Sequence, residues 1–254
     1  MVLANIAGAV ALLLWGLHMV HTGIVRAFGS DLRKFLNYAL RNRISAFLIG
    51  LGLTAILQSS TATALMTSSL AAEGLVGLMP ALAIVLGANV GTTLIVQLFS
   101  FNIFVLSPIC LVAGIVAFKA GQKNRLQQLG RVLIGFGLMI LALHPLIEWL
   151  SPIDAAPATR TLLKLVVDEP IFSFLIAAFL TWIAHSSVAI ILLVISLAHS
   201  QLLTGETALA MVIGANLGSA INPLREVGKP GDLASRRVPV GNFLNRIVGV
   251  VLAF

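Results

Sequence analysis

The sequence predicts an all-α polytopic membrane protein made of two inverted-topology repeats, each with a re-entrant helical hairpin and a broken transmembrane helix. Composition, the sorting of charge between loops, and a gapless internal repeat carry that prediction. The 254 residues are 59% hydrophobic and 10% charged, with a mean hydropathy of +1.04. Soluble domains hold about 25% charged residues and about 45–50% apolar ones. Sixteen Lys/Arg and nine Asp/Glu cannot coat a soluble sphere of this length. Composition therefore excludes a soluble enzyme, a disordered tail and a nucleic-acid-binding module. At about 20 apolar residues per span, the chain has room for at most about nine or ten. The net charge of +7 reads as loop cations rather than as a surface for an acidic partner. Cys110 lies alone in an apolar run, so no intrachain disulfide is expected.

The first apolar run, 2–25, has no Lys or Arg before it, whereas Arg26, Arg33, Lys34, Arg41 and Arg43 follow it. That is a membrane anchor with its N-terminus outside, not a cleavable signal peptide. Residues 31–43 mix Leu32, Phe35, Leu36 and Leu40 with basic side chains and read as a short amphipathic helix on the membrane surface. Further apolar segments are expected at about 44–72, 75–98, 103–118, 131–147, 170–198, 202–223 and 238–254. The last begins after Arg236-Arg237 and ends at Phe254 without a polar flank. It reads as the start of a further helix, cut at its C-terminus.

Charge in the connectors sets the topology. Residues 119–131 carry Lys119, Lys123, Arg125 and Arg131 with no acid, and 224–237 carry four basic residues against Glu226 and Asp232. A single crossing by 44–72 would put the basic loops 26–43 and 119–131 on opposite sides. Two full crossings need roughly 40 residues, more than this segment has. A re-entrant hairpin puts both loops in the cytoplasm. The same logic makes 170–198 a hairpin entering from outside and leaves 224–237 cytoplasmic.

The repeat is independent of charge. Residues 45–93 align without a gap to 172–220, at a constant offset of 127, with 22 identities in 49 positions. Gln58-Ser59-Ser60 faces His185-Ser186-Ser187, and Gly87-Ala88-Asn89-Val90-Gly91-Thr92 faces Gly214-Ala215-Asn216-Leu217-Gly218-Ser219. Trp15-Gly16-Leu17 is echoed weakly by Phe136-Gly137-Leu138. The expected organisation is repeat 1 over 1–128, inverted repeat 2 over 129–237, and the start of a further helix over 238–254. Inverted repeats with broken helices are the architecture of secondary transporters, whose binding sites lie near the midplane.

Gln58-Ser59-Ser60-Thr61 falls at the middle of its hairpin, roughly half a bilayer deep at about 1.5 Å per residue. Unpaired backbone groups at such a turn are tolerated where they line a cavity or bind something. The helix starting after the turn offers N–H groups to an anion such as phosphate. The helix ending before it offers carbonyls that, with Ser, Thr and Gln oxygens, suit sodium. The glycines around Asn89 and Asn216 fit close helix packing, but the two asparagines, deep in apolar spans, point to a helix break aimed at an ion. Glu73 and Glu206 lie only at span ends, which favours neutral-oxygen sodium sites over a buried proton-carrying acid. His185 stands where Gln58 does and either senses pH, meets an anion or only donates a hydrogen bond. His18 and His21 read as packed or interfacial residues, and Trp149 as an interface anchor. An intramembrane hydrolase using Ser59 or Ser186 with His185 lacks a Gly-x-Ser-x-Gly element and a separate base, so the chain is not expected to be an enzyme.

The paired Gln58-Ser59-Ser60 and His185-Ser186-Ser187 elements, with the two Gly-Ala-Asn-x-Gly segments, resemble the type II sodium/phosphate cotransporter family in its bacterial branch. The resemblance covers nearly the whole chain. It implies sodium-coupled movement of inorganic phosphate by alternating access in the plasma (inner) membrane, with sodium the coupling ion and no other cofactor. It also implies substrate contacts at Gln58, Ser59, Ser60, Thr61, His185, Ser186 and Ser187. Sodium is expected at Ser59, Asn89, Thr92, Thr93, Asn216 and Ser219. Val188 stands where Thr61 does in the first copy, a departure that leaves export, or carriage of another small oxyanion, as the alternative. Some bacterial relatives carry a phosphate-signalling type of regulatory domain after the membrane part. Such a protein, or a missing C-terminal domain, joins phosphate, sodium and the bilayer as an expected partner; nucleic acid is not one.

Overall fold

The computed structural model describes residues 2–38, 42–100, 105–121, 125–154, 169–199, 201–227 and 233–254. Every regular element among them is a helix. In chain order these are α1 Val2–Tyr38, α2 Arg43–Leu57, α3 Ser60–Ala72, α4 Leu78–Ser100, α5 Leu106–Ala120, α6 Arg125–Asp154, α7 Pro170–Ala184, α8 Ser187–His199, α9 Gly205–Glu226 and α10 Leu233–Ala253. Among the described residues, four stretches are long and apolar enough to cross a membrane: Ala7–Phe28, Leu78–Leu98, Arg125–Leu143 and Gly205–Glu226. Large apolar side chains such as Trp15, Ile44, Val112, Phe179 and Leu252 are exposed on the outside of the bundle. In water such surface would drive association; hydrocarbon accepts it.

The helix bounds recur at the offset of the sequence repeat. α2, α3 and the start of α4 correspond, residue for residue, to α7, α8 and the start of α9. Turn conformations recur too. Gln58 and His185 are both left-handed, each with φ 54°, and so are Gly74 and its counterpart Gln201, with φ 74° and 56°. α2 and α3 are 15 and 13 residues long, as are α7 and α8. At about 1.5 Å per residue each arm reaches roughly 20 Å, short of the roughly 30 Å hydrocarbon core.

Two expectations change. Residues 31–38 are no separate surface helix: α1 runs unbroken from Val2 to Tyr38, and α2 begins at Arg43 behind the cap of Asn42, whose Oδ1 accepts from Ser45 N at 2.7 Å. Residues 39–41 lie outside the described part. Nor is there a break at either Gly-Ala-Asn-x-Gly segment, since α4 and α9 pass through Asn89 and Asn216 as continuous helix. The glycines serve contact. A Cβ on Gly87 would sit 1.9 Å from the Phe47 carbonyl oxygen, and one on Gly218 would sit 2.2 Å from that of Ala178. Only hydrogen fits where α4 meets α2 and α9 meets α7, the close approach that small residues permit between membrane helices.

α1 packs along α6 and α5 along α6, while the second arm of each hairpin packs on the long helix of the other repeat, α3 on α9 and α8 on α4. α8 is buried around its whole circumference, from Val188 through Val194 to Ser196. Its side chains divide between two cores. Leu192 joins Leu57, Ile84, Met139 and Val238, whereas Ile190 and Val194 join Ala177, Met211 and Ala215. The Arg125 end of loop 119–131 and the Arg225-Glu226 end of loop 224–237 are described; 122–124, 155–168 and 228–232 are not.

Candidate functional site

Each hairpin turns in two residues, and the second caps the next helix. Ser59, extended at φ −150°, accepts through Oγ from Ala62 N at 3.1 Å. Ser186 Oγ accepts from Ala189 N at the same 3.1 Å. The capping hydroxyl satisfies one of the free N–H groups in the first turn. Those of Ser60 and Thr61, and of Ser187 and Val188, precede any intrahelical acceptor and remain available. Gln58 and His185, just before the caps, hold a left-handed backbone that costs a side-chain-bearing residue about 1 kcal/mol or more. That conformation recurs at both turns.

These two turns line one cavity of about 400 Å³. Gln58, Ser59, Ser60 and Thr61 form one wall, His185, Ser186, Ser187 and Val188 another, and α1 contributes Leu14, Leu17, His18 and His21. The structure thus brings together all seven residues expected to contact substrate. Two helix N-termini on one cavity concentrate unpaired N–H groups and two positive dipole ends, which favours an anion. Gln58, 2% exposed, leaves its Oε1 buried without a partner.

Glu226, at the end of α9, also lines the cavity and pairs with His185, Nε2 to Oε1 at 3.2 Å. His185 Nδ1 meets the Ile183 carbonyl at 3.0 Å. With both of its ring nitrogens engaged elsewhere, His185 does not pair as a base with Ser186, whose Oγ caps α8. Glu226 was missed from the sequence because it falls in the charged connector after the apolar span. His18 and His21, expected to be packed or interfacial residues, line the cavity; their spacing puts both on one face of α1.

The residues expected to hold sodium are divided. Ser59 belongs to the cavity. Thr92 bonds back to the Ala88 carbonyl at 3.3 Å, and exposed Thr93 to that of Val90 at 2.6 Å. Asn89, Asn216 and Ser219 gather instead around a residue that the sequence reading left out, Arg246 of α10, which donates to all three. Its signal was a lone cation in an apolar segment, four residues after Asn242. Thr61 joins this cluster to the cavity, its hydroxyl donating to the Ser219 carbonyl at 3.5 Å.

A chain whose described elements are all helical, with four apolar helices of membrane length among them and a cavity lined by polar side chains, is a polytopic integral membrane protein. The sequence pattern of the family described as Na+/Pi-cotransporter matches residues 12–148 and 154–225, and the chain belongs to that family. It is 39% identical over 254 residues to the "Putative inorganic phosphate export protein YjbB" of Escherichia coli (strain K12), and equally to that of Salmonella typhimurium. The match takes in 99% of this chain and 47% of each relative, so the chain spans about half the length of these curated relatives. A further relative, "Uncharacterized protein YqeW" of Bacillus subtilis, is 24% identical over 252 residues, 99% of this chain and 81% of that protein. No solved structure matches the chain.

Proposed function

We propose that this chain is the membrane core of a secondary transporter that moves inorganic phosphate with sodium by alternating access. One observation carries the reading: the capped N-termini of α3 and α8, at equivalent positions of the repeat, line a single cavity. Phosphate is held there by backbone N–H groups and by the hydroxyls of Ser60, Thr61 and Ser187. Sodium draws on the neutral oxygens nearby, the buried Oε1 of Gln58 first among them. The two repeats, 1–128 and 129–237, are inverted about the plane of the inner membrane, with α2–α3 and α7–α8 as re-entrant hairpins. The N-terminus lies outside, and the basic segments 26–43, 119–131 and 224–237 are cytoplasmic. Loop charge and the short arms support that topology. A phosphate-signalling domain or protein is the expected partner in the cell.

Purified chain in liposomes with an imposed sodium gradient tests the reading. Phosphate flux should follow the gradient, and Ser59→Ala and Ser187→Ala should each reduce it. Absence of phosphate flux in both orientations of the gradient would refute it. The printed name of the 39%-identical relatives favours a second reading, net export of phosphate. Outward flux that persists without sodium would select it.

A further inference from the structure

α10 carries a positive charge into the interior between α4 and α9. Arg246 is 5% exposed. Its guanidinium donates to the backbone carbonyl of Asn216, to Ser219 Oγ and to Asn89 Oδ1. All three acceptors are neutral oxygens, and among the described residues no carboxylate pairs with it. Asn89 is fixed in turn, its amide donating at 2.9 Å to Oδ1 of Asn242, one turn earlier on α10. Asn89 and Asn216 are repeat equivalents, so matching positions of the two repeats converge on one charge supplied by a third element.

A backbone carbonyl, a hydroxyl and an amide oxygen are the ligands a small hard cation takes inside a transporter. Buried charge persists only where such acceptors replace its water. The guanidinium and a sodium ion cannot share these oxygens. Two unit charges about 4 Å apart, at an effective dielectric of about 20, repel enough to lower sodium affinity roughly a thousandfold.

We propose that Arg246 is a tethered cation standing in for a coupling sodium ion: Asn89, Asn216 and Ser219 hold its guanidinium, and this place takes no sodium during transport. The inference rests on the reading of the chain as a phosphate carrier. The charge lies close behind the cavity, through Ser219 and Thr61. There it attracts phosphate without being carried, so the cycle moves one positive charge fewer than a carrier with sodium in this place.

The test uses the full chain, with phosphate flux read in liposomes and thermal unfolding in detergent, each in sodium against N-methylglucamine. Arg246→Gln vacates the oxygens. It should gain a sodium-specific rise in unfolding temperature and a roughly tenfold sodium stimulation of flux. Arg246→Lys keeps a cation there and should gain neither. A folded Arg246→Gln chain with the sodium response of the wild type overturns the proposal. Should that variant not fold, Asn89→Ala and Ser219→Ala decide. A wild-type sodium half-saturation kept within about twofold supports the tethered cation, and a rise of about tenfold overturns it. If no chain carries phosphate, the carrier reading fails, while the unfolding measurements still report whether vacating Arg246 creates a sodium site.

Discussion

Replacing Gly87 with alanine drives a methyl group into the backbone of α2. The new Cβ would lie 1.9 Å from the Phe47 carbonyl oxygen and 2.9 Å from the Leu51 nitrogen. An ordinary contact is about 3.4 Å, so α2 and α4 must part by roughly 1.5 Å in a close-packed interior. Overpacking costs about 1–3 kcal/mol, and a backbone obstacle puts this case at the upper end. Alanine's better helix propensity returns about 1 kcal/mol, leaving a net loss of about 2 kcal/mol. Gly214→Ala should behave alike, its Cβ meeting the Phe174 carbonyl oxygen at 2.1 Å. Gly52 is the internal control, with nothing within 4 Å of an added Cβ. Gly52→Ala should gain about 1 kcal/mol, so the two alanines differ by about 3 kcal/mol. In a chain of this length that separates their midpoints by roughly 6–12 °C. Circular dichroism of the detergent-solubilised chain during heating reads it. A Gly87→Ala chain unfolding at or above Gly52→Ala would refute the close contact and return the segment to the unwound, ion-facing form expected from sequence.

Three further outcomes follow from the same geometry. Thr54 donates to Thr63 at 2.9 Å inside the first hairpin, whereas its counterpart Thr181, with Ile190 at the position equivalent to Thr63, has a buried, unpartnered Oγ1. Thr54→Val should cost about 1 kcal/mol and Thr181→Val nothing or less, read as unfolding midpoints; equal losses would contradict the assignment. Ser59→Ala and Ser186→Ala each remove a helix cap and should destabilise by about 1 kcal/mol, while phosphate affinity measured by titration calorimetry falls as well. A capless variant with unchanged stability would place these hydroxyls elsewhere. Glu226→Gln breaks a pair whose side chains are 60% and 40% exposed, so its stability effect should stay under about 1 kcal/mol, while phosphate titration reports the loss of a cavity charge. A drop in midpoint of more than about 5 °C would show the pair to be structural.

Composition alone was enough for the membrane class, because no soluble fold hides so many apolar residues. The repeat was legible because the hairpin arms, turns and packing glycines sit at fixed offsets, and the helix bounds fall where the alignment puts them. The cavity was legible for a similar reason: polar residues at a hairpin turn inside an apolar segment have few other uses. Three features escaped. α4 and α9 stay helical because glycine in a membrane helix can serve contact as well as breakage, and spacing cannot separate the two. Glu226 and the cavity face of α1 lie outside the aligned residues 45–93 and 172–220, so that comparison could not flag them. Arg246 sits in a segment of marginal length for a span, and its partners lie 27, 30 and 157 residues away. Only the packing of α10 against α3, α4 and α9 brings them together.

The two hairpins share a backbone but divide the chemistry. α3 places Thr61, Thr63, Thr67 and Ser68 where α8 places Val188, Ile190, Val194 and Ile195. Thr67 and Ser68 are buried yet satisfied, each bonding the carbonyl four residues back at 2.7 Å. α3 therefore carries hydroxyls through the interior without leaving orphans. On α8, Ile190, Val194 and Ile195 instead fill the apolar core with Met211 and Ala215, and Val188 joins the core around Leu57 and Met139. A ligand in the cavity thus meets unlike walls: amide and hydroxyl groups from the first turn, and a serine pair with the paired His185 and Glu226 side chains from the second. Helix N-termini supply both walls with the same anion-binding backbone. What distinguishes them must come from side chains. The contrast between Gln58 and His185, at one backbone conformation in two surroundings, is the clearest place to look for how the two sides of the cavity differ.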